Sequence, residues 1–75
     1  METYKDINTP EQLTEDVLAI IETVYDGWFA DEPRIDWFAF LDRVERLGLY
    51  NLGSDMDSPV VKAIKKYVRK LKAAN

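Results

Sequence analysis

The apolar positions of the chain fall into three runs of helical period, separated by turn residues. In the first run, Leu13, Val17, Leu18, Ile20, Ile21, Val24, Tyr25 and Trp28 share one face at about 100° per residue. Glu11, Glu15, Glu22 and Asp26 lie opposite. Thr9 as N-cap, Pro10 at the first helical position and Gln12 in a Thr-x-x-Gln capping box predict a start at residue 10. Gly27 weakens the last turn, so the spacing predicts a helix over 10–28.

The second run places Trp37, Phe40, Leu41, Val44 and Leu47 on one face. Its start is open: Asp31 caps it with Pro33 in the first turn, or Asp36 caps a later one. Its end is marked by Gly48, suited to a left-handed C′ position, with Leu49 behind it for the accompanying apolar contact. The expected span is 33–47. Phe38 lies about 100° from Trp37, toward the polar side near Glu45.

The third run opens with Ser58 as cap and Pro59 at the first position, since a residue before proline avoids the helical region. Val60, Val61, Ile64, Tyr67, Val68 and Leu71 make its apolar face. Lys62, Lys65, Lys66, Arg69, Lys70 and Lys72 make the other, with no acid among them. A helix over 59–73 follows. Residues 50–57 read as a loop turning at Asn51 and Gly53. No segment sustains two-residue alternation, so no sheet is expected. The fold class is therefore all-α, a small three-helix bundle in one domain, 1–75, with residues 1–8 as an N-terminal arm.

Composition narrows the chemistry. The chain has 75 residues, 47% hydrophobic, which suits a globular domain with a small core. Cysteine and histidine are both absent. This removes disulfides, thiolate and imidazole metal sites, thiol nucleophiles and histidine general bases. Small domains without these devices commonly gain stability by self-association. The expectation is a non-catalytic chain with no cofactor and no metal. The N-terminus has no basic stretch leading into an apolar one, so no signal peptide is expected. Glu22, Asp26 and Asp36 interrupt the apolar runs, so no membrane span is expected. Together these point to a cytoplasmic protein.

Charge is divided unevenly. Residues 1–57 carry all 14 acids and four bases, a net of −10, while residues 58–75 carry six bases and no acid. Such asymmetry suggests a binding face for nucleic acid or an acidic protein surface. A solvated face, matched to the helix dipole or to the acids of the first helix, explains the same pattern. Helix three lacks Trp and Phe, which weakens a membrane-surface reading. Its five lysines and one arginine suit charge neutralisation better than base recognition. The connection over 48–57 is long for a helix-turn-helix.

Aromatic residues cluster at 28–40. Core packing accounts for most of them, but Phe29 and Phe38 exceed what one small core can take. Phe29, Trp37 and Phe38 are therefore the candidate oligomer contacts. Asp55 and Asp57 resemble a fragment of an acidic metal loop, yet residues 59–67 supply no further acid, and acids before a helix start explain them better. The functional expectation is a helical protein-protein interaction module that self-associates as a homodimer. The alternative is a nucleic-acid-binding protein using the basic C-terminal helix.

Overall fold

All three expected helices form, with bounds that differ at their ends. The computed structural model describes residues 3–74, so Met1 and Glu2 of the expected arm lie outside the described residues. In chain order come β1 (Lys5–Asp6), a 3-10 turn (Pro10–Gln12), α1 (Glu15–Val24), a π turn (Tyr25–Phe29), α2 (Trp37–Gly48), β2 (Tyr50–Asn51) and α3 (Pro59–Ala74). The radius of gyration is 11.6 Å, close to the ~11 Å of a compact chain of this length.

The first helix begins five residues later than expected. The capping residues are used, but they close only the 3-10 turn. Gln12 Oε1 accepts the N–H groups of Asn8 and Thr9 at 2.7 and 3.1 Å, and Gln12 Nε2 donates to the Asp6 carbonyl. Gln12 thus ties the preceding segment down instead of leading into a helix. Leu13 leaves helical geometry at ψ 70°, and Thr14 starts α1 afresh.

Residues 5 and 6 of the N-terminal arm form a strand, and the expectation of no sheet was wrong. β1 and β2 pair in parallel, with Lys5 opposite Tyr50 and Asp6 opposite Asn51. The amides of Lys5 and Ile7 donate to the carbonyls of Leu49 and Asn51, each at 2.9 Å. Asn51 Nδ2 reaches Asp6 Oδ1 at 2.9 Å. The pairing has a physical reason: Ile7 is buried in the core, and a buried residue's neighbouring backbone groups must find partners.

Helix two starts at the later of the two candidates. The Asp36 carboxylate accepts from the amides of Phe38 and Ala39, so residues 33–36 belong to the preceding loop. Its end also differs. Gly48 is the last helical residue, and Leu49 takes the left-handed conformation at φ 58°. Gly48 has another task, since a Cβ there would strike the Tyr50 ring.

Helix three follows the sequence reading closely. Ser58 Oγ accepts the Val61 amide at 3.1 Å, and Val60, Val61, Ile64 and Val68 are buried. They meet Val17, Ile21, Val24 and Tyr25 from the first helix and its π turn, and Phe40, Leu41 and Val44 from α2. Ile7 and Leu52 complete the core from the strand segments. Leu47, expected on the apolar face of α2, is 44% exposed. No helix among the described residues is long and apolar enough to cross a membrane.

Candidate interaction surfaces

The aromatic cluster is sorted by the π turn. Widening the helix over Tyr25–Phe29 inserts an extra residue and rotates the following positions relative to α1. Trp28, which the helical wheel places on the core face, is turned outward and is 47% exposed. Its ring is capped by the Arg43 guanidinium, 4.6 Å from the centroid. Phe29 is turned inward instead. It packs edge-on against buried Phe40, with centroids 5.1 Å apart. Trp37 packs on Phe40 in the same manner at 5.5 Å.

Of the three candidate oligomer contacts, then, Phe29 and Trp37 take part in core packing, and Phe38 alone stands free. The assignment of Phe29 as a surplus aromatic is corrected. Phe38 is 75% exposed, the highest value among the large hydrophobic side chains. It flanks a notch of about 230 Å³ between α2 and the loop before α3, lined also by Leu41, Met56, Gly53 and Ser54. Asp42 and Glu45 form its charged wall. Glu45 is held in place, because its Oε2 accepts the Leu52 amide at 2.8 Å. The same two acids border a second, open groove of about 400 Å³ shared with Tyr4, Arg46, Tyr50 and Asn51.

The basic face of α3 divides into two parts. Lys62, Lys66, Arg69 and Lys70 are exposed. Lys65 and Lys72, on one edge of that face, lean toward the start of α2. Lys65 Nζ lies 5.8 Å from the Trp37 ring centroid, and Lys72 Nζ donates to the Pro33 carbonyl at 3.1 Å. Among the described residues the one ion pair joins Arg46 to Asp42 within α2, so no base of α3 is matched by an acid within 4.0 Å. Pairing with the acids of the first helix does not account for this face.

Where α3 crosses the start of α2, Ile35, Trp37, Val68, Arg69 and Lys72 line a further notch of about 180 Å³. Nothing in the sequence pattern signals it, since Ile35 and Val68 belong to different elements. Close by on α3, the Tyr67 phenol is held above its ordinary pKa, first by burial and then by the charge and hydrogen bonding of Glu22. The Asp55 carboxylate is engaged locally, its Oδ1 accepting the Asp57 amide at 2.9 Å. Among the described residues no group of three or more acids converges in the manner of a metal site.

Comparison of the chain with protein-family models, curated proteins and solved structures found no match.

Proposed function

We propose that this chain is a non-catalytic helical interaction module that self-associates as a dimer, with Phe38 at the contact. The observation that carries the reading is the 75% exposure of Phe38 at the edge of a partly apolar notch. Aromatic side chains that anchor interfaces sit in such positions, where closing the contact removes a large apolar area from water. The small core adds a motive, since a domain of this size gains stability when it buries surface against a partner. The non-catalytic part rests on chemistry. The chain has no histidine and no cysteine, and the buried side chains among the described residues are all hydrophobic, so no carboxylate among them has the sheltered, pKa-shifting surroundings that general acid–base work draws on. Sedimentation equilibrium across the micromolar range tests the reading. A dimer mass is expected, falling toward the monomer for Phe38→Ser. A monomer mass for the parent chain would overturn it.

A second reading is favoured by a separate observation. Lys62, Lys66, Arg69 and Lys70 form an exposed basic surface with no acid in ion-pair reach. Such a surface suits nucleic-acid phosphates. The net charge of −4 opposes it at long range, and for that reason it stands second.

A further inference from the structure

Trp37 and Phe38 are neighbours in sequence but border notches of opposite charge. Phe38 is exposed beside Asp42 and Glu45. Trp37 lines the notch whose rim is Arg69 and Lys72. The first surface is a protruding ring with acids beside it. The second is a recess with an apolar floor, Ile35, Trp37 and Val68, and bases beside it. It is a half-open surface notch of about 180 Å³, so a ring lying in it is covered on one side. A single chain therefore carries a protruding ring beside acids and a recess beside bases, complementary in charge.

We propose that Phe38 of one copy seats in the Ile35–Trp37–Val68 notch of a second copy, and reciprocally. Asp42 and Glu45 then face Arg69 of the partner copy across each contact, with Lys72, held on its own chain's Pro33 carbonyl, at the rim. This rests on the self-association reading and gives it a geometry. Reciprocity follows from the two-fold symmetry most homodimers take, in which the same patch serves both chains. Rings and recesses alone bury only part of the ~1,200 Å² of a specific interface, so the surface of α2 and α3 between the two contacts closes with them. Ring and recess both lie at the start of α2, and a two-fold exchange seats both rings around one axis. The exposed pair Arg46–Asp42 does not lock Asp42 away, because its side chains remain 75% and 53% accessible. Electrostatic matching of this kind selects the partner and sets the register.

Sedimentation equilibrium on five samples tests the proposal: the parent chain, Phe38→Ser, Arg69→Glu, Asp42→Arg, and an equimolar mixture of the last two. All three altered side chains are exposed, and helical circular dichroism and thermal melts verify that each variant folds. The parent chain is expected to be a discrete dimer. Phe38→Ser is expected to weaken it by at least ~100-fold, since each seated ring is worth tenfold or more and the axis counts it twice. Arg69→Glu places an acid against Asp42 and Glu45 and weakens association as well. The mixture is the decisive sample. Asp42→Arg sets two bases face to face and weakens association too, whereas in the mixed dimer Asp42 of one chain meets Arg69 of the other at one contact and the two reversed side chains meet at the second, so both contacts are attractive and the mixture associates more tightly than either variant alone. A parent dimer unaffected by all three substitutions would overturn the ring-in-recess geometry while leaving self-association standing. So would a mixture no tighter than its components, or a ladder of masses beyond two copies. A monomeric parent chain would overturn self-association and this geometry together.

Discussion

Tyr50 lays its ring against the backbone of Gly48, so closely that a Cβ on Gly48 would collide with it. The contact closes the corner between α2 and β2. It also explains why glycine stands at the last helical position of α2 while the left-handed residue is Leu49. Glycine there costs helix stability, and the close approach of the ring is what it makes possible.

The first prediction concerns that corner. Gly48→Ala gains about 1 kcal/mol of helix propensity but must displace the Tyr50 ring, and overpacking of this kind costs about 1–3 kcal/mol. The net effect is expected to be a loss of about 1 kcal/mol in urea denaturation. In a Tyr50→Ala background the collision is gone, and the same substitution is expected to stabilise. An identical effect of Gly48→Ala in both backgrounds would show that the two residues are not coupled.

Glu45 carries the second prediction. It reaches seven residues along the chain to accept the Leu52 amide in a part-buried hydrogen bond, which fixes the loop that forms one wall of the Phe38 notch. Glu45→Ala leaves that amide without an acceptor and is expected to cost about 1–3 kcal/mol. Glu45→Gln retains an acceptor oxygen and is expected to cost less. Hydrogen exchange at the Leu52 amide should accelerate in the alanine variant well before global unfolding. Equal protection in the parent and in Glu45→Ala would contradict the assignment.

How far these features were legible in the sequence depends on where the helical period holds. Along α3 it runs unbroken from Pro59, and both the buried Val60–Val68 face and the basic face were readable from spacing alone. The offset of Phe38 from Trp37 was readable for the same reason, and it marks the residue that is exposed. The period fails at the π turn. An added residue there exchanges the fates of Trp28 and Phe29, and Gly27 gave only a hint of irregularity. Two-residue strands are too short to show alternation, so the parallel pair and the burial of Ile7 left no trace. The left-handed Leu49 was hidden because the neighbouring glycine is the ordinary choice for that conformation. The Trp37 notch arises only when Ile35 and Val68 are brought together by tertiary packing.

Tyr67 gives a prediction in pH. Its phenol is raised above the ordinary tyrosine value by burial and by Glu22, so the folded state holds the proton more tightly than the unfolded one. The contribution is fully present below the unfolded pKa of about 10 and is lost as pH rises through the higher folded value. The parent chain is therefore expected to lose stability more steeply above pH 10 than Tyr67→Phe, with the two curves running parallel below pH 9. Glu22→Gln is expected to fall between them, because it removes the charge and leaves the burial. Denaturation curves collected from neutral to alkaline pH check this. Parallel curves for the parent and Tyr67→Phe throughout would rule the linkage out.

The last prediction separates the two functional readings at α3. If Lys62, Lys66, Arg69 and Lys70 form a phosphate-binding surface, affinity for duplex DNA must fall steeply with salt. Lys65 lies over Trp37 and Lys72 is bonded to Pro33, which leaves four freely presented bases. Four phosphate contacts give a log–log salt slope of about −4. Removing one of these lysines should reduce it by about one unit. Folding should barely change, because the four side chains are exposed and have no ion-pair partner among the described residues. Interaction with protein predicts otherwise. There the −10 charge of residues 1–57 repels DNA, while the bases of α3 accelerate association with an acidic protein surface. Fluorescence anisotropy with a labelled duplex at physiological salt decides between them. The expected result is no binding tighter than about 10 μM, within the range of non-specific contacts. Sub-micromolar binding with the steep salt slope would place nucleic acid first. A preorganised basic surface would then have to outweigh the repulsion of the acidic remainder, and Lys66→Ala and Lys70→Ala would show it by each flattening the slope.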